Sequence, residues 1–344
     1  MRATLMYRSG DVRVEEVPDP TIQEPTDAIL RVTHACVCGS DLHPYHDLEE
    51  TPGGRRMGHE AIGVVEQVGD DVTTLKVGDT VIVPFSWSDN TCAFCRDGIT
   101  TSCVHGGFFD GAPSATQAEK LRVPQADGTA VVVPEGTDES FMPSLLTLSD
   151  VYLTGYHAAS QGGVEAGQTV AVIGDGAVGL SAVLAAAQMG AGTIILMGRH
   201  ESRTDLGRQF GATHVVAARG EEGIAEVMEI TGGEGAHVVL EAVGHMPAYE
   251  QAYGIVRPGG VISRVGVPQY EDAAVGFASL FGKNATLTGG PATIRAYLEA
   301  ALPQVLDGTI DPGRVFDREL PLDDIAEAYR LMDSREALKV LIRP

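Results

Sequence analysis

The stretch TVAVIGDGAVGLSAVLAAAQMGA, residues 169 to 191, decides the fold. An unbroken apolar run leads into a glycine turn, and an alanine-rich segment with strong helix-forming character follows. Gly174, Gly176 and Gly179 stand as G-x-G-x-x-G between the strand and the helix. Such a turn lets backbone approach a pyrophosphate while the helix N-terminus offers unsatisfied N–H groups and positive dipole. Ala177 and Val178 complete the loop and open the helix, so all five residues are candidate cofactor contacts. Asp175 adds a carboxylate, which dinucleotide binding requires to point outward.

Downstream, TIILMG at 193–198 reads as a second strand, HVVLEAVG at 237–244 and GGVISRVGV at 259–267 as further strands, and GIAEVMEITGG as a crossover helix. Alternating strands and helices imply a parallel sheet. Val243 and Gly244, and likewise Gly266 and Val267, end strands where ligands bind such sheets. They read equally as ordinary strand ends.

The end of the second strand discriminates between the nicotinamide dinucleotides. An Asp or Glu there would bond the ribose 2′-hydroxyl, whereas an arginine accommodates a 2′-phosphate. Here Gly198 replaces the acid and Arg199 follows, with Arg203 one turn on. NADP is therefore expected over NAD. The alternative is that both arginines are solvated and NAD binds without its usual carboxylate.

Upstream, residues 61–84 are valine- and isoleucine-rich runs broken by Gly-Asp pairs, the pattern of strands joined by tight turns. Downstream of Gly290, two helices (TIRAYLEAALPQVLDG and DDIAEAYRLMDS) and a closing strand, ALKVLIRP, are expected. At 344 residues the chain is long enough for two domains. A net charge of −23 disfavours nucleic acid and anionic membranes as partners. No apolar run is long enough to span a bilayer, and MRATLMYRSGDVRVEE lacks the apolar core of a signal peptide. A cytoplasmic setting follows as the expectation, where cysteines serve more often as ligands than as disulfides.

Five cysteines are present. Cys36 and Cys38 lie in CVCGSDLH, and His59-Glu60 follow some twenty residues later. Alone, a cysteine and a histidine so spaced read either as zinc ligands or as packed core residues. The ordered set is more specific: C-G-S-D-L-H at 38–43, G-H-E at 58–60, the V-G-x-x-V-x-x-x-x-x-G-D-x-V turn from Val68 to Val81, a cysteine cluster near 92, and the glycine motif. Together these resemble the zinc-dependent medium-chain alcohol dehydrogenase/reductase family along essentially the whole chain.

The resemblance implies an α/β protein: a GroES-like β-barrel catalytic domain at 1–150, completed by 290–344, and a Rossmann doubly wound cofactor domain at 151–289. It implies a catalytic zinc on Cys38, His59 and a third ligand, for which Asp150 fits; Asp150 could instead cap the next helix. Glu60 matches the acidic residue beside that metal, and Asp41 the carboxylate that orients the ligand histidine. Zinc would act as Lewis acid while hydride passes between an alcohol carbon and NADP(H), with protons relayed by Ser40, the cofactor ribose and His43. Cys36 reads as packing. Lys339 is a possible phosphate contact or a solvated lysine.

In SDNTCAFCRDGITTSC, alignment with the family's structural zinc lobe places Cys92, Cys95 and Cys103 on three ligand positions and Asp89 where the first cysteine would be. The resemblance implies a small alcohol or carbonyl compound as substrate. Trp87, Phe108, Phe109, Leu280 and Phe281 bear on its shape. A homodimer or homotetramer is implied, with Val261 to Val267 a segment for pairing between subunits. The competing readings are an NAD-dependent polyol, sugar or aldehyde dehydrogenase of the same family, and a non-catalytic nucleotide-binding sensor or structural protein.

Overall fold

In the computed structural model, residues 1–109, 114–270 and 276–344 are described. The chain divides into two compact units, residues 1–150 with 293–344, and residues 151–292.

In the second unit, Thr169–Ile173 forms a strand buried at its last four positions, as expected of a strand covered on both faces. It lies at the centre of a parallel sheet of six strands. On one side stand Thr193–Met197 and His214–Val216; on the other, Ala236–Glu241, Val256–Arg264 and Thr286–Gly289. Chain order reverses on leaving the central strand, the doubly wound arrangement that opens a ligand crevice at the carboxyl ends of the strands. Helices Ala177–Gln188, Glu201–Gln209, Gly220–Ile230 and Met246–Ile255 make crossovers. The first packs closely because Gly179 has no side chain: a Cβ there would fall 1.9 Å from the Gly174 carbonyl oxygen.

One expectation is corrected here. The strand containing Val261 is interior, paired with both Ala236–Glu241 and Thr286–Gly289, so its backbone groups are already bonded on both sides. The edge on that side is Thr286–Gly289, a short strand whose alternation is too weak to stand out in the sequence.

The first unit is organised by Ala28–Cys36, whose apolar residues alternate into a core containing Leu30, Val32, Val65, Val81 and Ile342. It pairs antiparallel with Ala61–Val68, Lys120–Val123 and the closing strand Val340–Arg343. Leu341 is opposite Cys36. Leu30, Ile62 and Ile82 are fully buried, each contributing roughly 1.5–3 kcal/mol. The sheet therefore holds three segments whose ends carry chemistry: the turn after Cys36, His59-Glu60 just before Ala61, and Lys339 just before Val340. No helix among the described residues is long and apolar enough to cross a membrane.

Candidate functional site

Cys38 leaves the strand in extended conformation and precedes a 3-10 turn, Gly39–Asp41, which runs into the helix Leu42–Asp47. Asp41 reaches back, its Oδ2 accepting from Cys38 N at 2.9 Å and from Gln117 Nε2 at 3.1 Å. Tyr329 OH in turn donates to Gln117 Oε1 at 3.1 Å, so a buried chain of polar groups fixes the turn. Asp41 Oδ1 lies 3.4 Å from His59 Nδ1, leaving Nε2 directed at Asp150 Oδ2, 3.3 Å away. Cys38 Sγ lies 3.7 Å from the same Asp150 oxygen.

Asp150 follows the helix Met142–Thr147 by one turn. Donor atoms of Cys38, His59, Glu60 and Asp150 all lie within 4.8 Å of one another. A soft thiolate, an imidazole and a carboxylate form a set suited to zinc with one position left for substrate. The electrostatics agree with a cation there. Burial opposes charging of His59, yet the charge of Asp41 and hydrogen bonds to Asp150 and Asp41 hold its pKa well above the usual imidazole value. Glu60 Oε2 is buried without a hydrogen-bond partner. Zinc fits this set by donor chemistry and by the excess of negative charge.

Asp41 would act as the carboxylate behind the ligand histidine. Asp41→Asn should weaken zinc affinity about 10–100-fold, readable by competition with a chromophoric chelator. An unchanged affinity would mean that the ring is held by packing alone.

Lys339 requires correction. It is fully buried, and its Nζ donates to Glu60 Oε1 at 2.7 Å and to the Val37 carbonyl at 3.3 Å. Burial opposes its charge, but the Glu60 carboxylate beside it raises its pKa well above the ordinary lysine value. The ammonium is committed inside the first unit to Glu60 and the Val37 carbonyl, which overturns the reading of Lys339 as a solvated lysine. Cys36 is buried beside this pair, and desolvation pushes its thiol upward, which suits a packed neutral side chain.

Ser40 and His43 are half-buried on the 3-10 turn and on the helix after it. The rings of Phe85 and His59 stand perpendicular with centroids 6.5 Å apart, and Phe85 stacks on Phe108 at 5.8 Å, so the first unit contributes an aromatic wall beside the cluster. Phe109 is fully buried against Trp87 and belongs to the core, whereas Phe281 is 89% exposed. Phe85 escaped the sequence reading because no motif marks it.

A second cluster lies in the lobe after Trp87. Donor atoms of Asp89, Cys92, Cys95 and Cys103 also fall within 4.8 Å of one another. Backbone N–H groups of Cys95 and Val104 draw the Cys92 thiol down to about 7, while burial drives Cys95 up to about 12. Cys103 Sγ accepts from the N–H groups of Asp89 and His105 at 3.3 and 3.4 Å. Asp89 Oδ1 accepts from Thr91 N and Cys92 N, and Oδ2 pairs with His105 Nδ1 at 2.7 Å. Three sulfur donors and one oriented carboxylate fit a closed structural zinc site. His105 was not singled out from the sequence, although its position two residues after Cys103 was a signal. Asp89→Ala should remove the lobe's zinc and leave the Cys38 zinc, as measured by metal analysis of the purified protein; loss of neither would argue against ligation by Asp89.

In the second unit the glycine loop sits beside Val243, since a Cβ on Gly174 would come 2.9 Å from Val243 Cγ2. Gly266 packs on Gly244, and the turn at Val243-Gly244 is held by Glu241, whose Oε1 accepts both backbone N–H groups at 2.7 and 2.8 Å. Glu241 is a buried residue that sequence reading missed; burial raises its pKa despite those bonds. Val243 and Val267 are exposed at the carboxyl ends of neighbouring strands. Gly198 ends the second strand; Arg199 is exposed and Arg203 half-buried at the start of Glu201–Gln209. Asp175 does not point outward. Its Oδ2 accepts from Arg199 N at 2.9 Å, from His200 N at 3.0 Å and from His200 Nδ1 at 2.9 Å.

Comparison with known proteins agrees with this architecture. Residues 24–135 match the alcohol dehydrogenase GroES-like domain, and residues 177–306 match the zinc-binding dehydrogenase family. A zinc-type alcohol dehydrogenase B of Aspergillus flavus is 34% identical, the match covering 100% of this chain and 81% of the relative. A probable zinc-binding alcohol dehydrogenase of Mycobacterium tuberculosis is 33% identical over 100% of this chain and 89% of its own. The solved alcohol dehydrogenase TADH of Thermus sp. ATN1 superposes with a TM-score of 0.91 at 35% identity, covering 100% of this chain and 99% of that one. The chain belongs to the zinc-dependent medium-chain alcohol dehydrogenase/reductase family. It is thereby an oxidoreductase of the alcohol dehydrogenase type, acting on CH–OH groups, in a family that uses zinc and a nicotinamide cofactor.

Proposed function

We propose that the protein interconverts an apolar alcohol and its carbonyl compound, with Cys38, His59 and Asp150 as ligands of the catalytic zinc and Glu60 beside it. The convergence of these donors around a histidine whose other nitrogen is held by Asp41 is the observation that carries the reading. When bound, zinc supplies Lewis acidity toward the substrate oxygen. Ser40 and His43 would carry the substrate hydroxyl proton towards solvent, and a bound dinucleotide would supply the ribose hydroxyl of that relay. The glycine loop with Ala177 and Val178, and the residues Val243, Gly266 and Val267, hold the dinucleotide.

The aromatic wall of Phe85 and Phe108 supports an apolar substrate over a polyol or sugar. Arg199 directly after Gly198, with Arg203 following, supports NADP as the dinucleotide. The contacts of Asp175 at the same turn are the observation that favours NAD instead. The protein works as a homodimer or homotetramer, and the edge strand Thr286–Gly289 is the segment suited to pairing between copies.

The test is the absorbance of reduced nicotinamide during incubation with aliphatic and aromatic alcohols, polyols and sugars, and with aldehydes and ketones in the reverse direction. Turnover is expected with apolar substrates. Activity confined to sugars would reject the substrate class, and silence throughout, from zinc-loaded protein, would favour a non-catalytic role.

A further inference from the structure

We infer that Asp175, from the glycine loop, supplies the carboxylate that the end of the second strand lacks, and that the protein consequently prefers NAD to NADP. The inference rests on the reading of this unit as a dinucleotide site and decides which dinucleotide it takes.

The first argument is steric. In a fold of this kind, discrimination is exercised by the side chain at the end of the second strand, position 198 here. A Cβ built on Gly198 would lie 2.5 Å from Asp175 Cβ, 2.9 Å from its Oδ2 and 3.0 Å from its Cγ. The space beside position 198 that a side chain would enter is therefore already filled by a carboxylate from another segment. Glycine at 198 is explained by this neighbour and does not by itself signal room for a phosphate.

The second argument concerns donors. A 2′-phosphate at this turn would seek backbone N–H groups at the start of the helix Glu201–Gln209. Just before that helix, Arg199 N and the N–H of the N-cap residue His200 are spent on Asp175 Oδ2, and the imidazole of His200 is turned to the same oxygen. An incoming phosphate would have to displace a carboxylate bonded three times, or lie against it with like charge. Glu201 adds another negative charge to the first helical turn. Arg199 and Arg203 remain as the opposing attractions; Arg199 is exposed, where a single ion pair is worth little, and Arg203 is half-buried one turn further on. A ribose 2′-hydroxyl has the opposite requirement, since it donates to a carboxylate and carries no charge.

The experiment is titration of the zinc-loaded full chain with NADH and with NADPH, followed by nicotinamide fluorescence, which reads binding without turnover. NADH should bind more tightly by on the order of tenfold or more, the difference expected from a hydrogen bond to a charged group. Asp175→Asn, which keeps the side-chain shape, and Asp175→Ser, which opens the space, should both shrink the ratio, the second in favour of NADPH. Tighter binding of NADPH by the unmodified protein, or a ratio unmoved by either substitution, would overturn the inference and leave the dinucleotide site standing. Binding of neither nucleotide would overturn the dinucleotide reading and the inference together.

Discussion

Replacing Cys38 by serine is expected to lower kcat by about a thousandfold or more while NADH binding stays within about twofold of the unmodified protein. The thiolate is the soft donor of the set, and serine presents a hydroxyl that does not ionise near neutral pH. His59 and Asp150 alone would then have to retain the metal. Nucleotide binding should persist because the glycine loop and its sheet are built within residues 151–292, whereas Cys38 belongs to the other unit. The measurement pairs single-turnover hydride transfer with fluorescence titration. Parallel loss of both would indicate that Cys38 supports folding and would remove the basis for its role as ligand.

Substitution of Lys339 by methionine is expected to cost about 3–5 kcal/mol in the stability of the first unit. Glu60 would keep its carboxylate in the interior after losing the counter-ion that lies 2.7 Å away, and its other oxygen is already without a partner. The cost arises from the charge left behind more than from the attraction removed. The double replacement Lys339→Met with Glu60→Gln should therefore recover much of the loss. Urea unfolding followed by Trp87 fluorescence, in the first unit, reads this directly. Equal destabilisation in the single and double variants would assign the effect to lost packing of the lysine stem.

How much of this was legible beforehand depends on how local each feature is. The strand, turn and helix around Gly174 could be read because backbone conformation, apolar periodicity and glycine spacing are set within some twenty residues. The family motifs named Cys38 and His59, the resemblance left Asp150 as the residue that fits the third position, and the structure brings their donor atoms together. What could not be read depends on distant partners. Lys339 and Glu60 are 279 positions apart, and Tyr329 reaches Gln117 across 212. Nothing local says that a lysine in ALKVLIRP points inward. Asp175 was visible in the loop, but its direction is set by a turn 24 residues later, and Gly198 was read as a missing acid when it is the space that Asp175 fills. The edge strand was misassigned for a similar reason. Which of several apolar strands lies outermost is a property of sheet order, and Thr286–Gly289 carries too little alternation to announce itself.

The central claim is that the cluster of Cys38, His59 and Asp150 is a zinc site on which turnover depends. Its most direct test is to strip the purified protein with a chelator, confirm the loss of metal, and follow alcohol oxidation before and after zinc is returned. Activity should vanish with the metal and reappear as the Cys38 site refills. Undiminished oxidation by protein shown to be free of zinc would contradict the account.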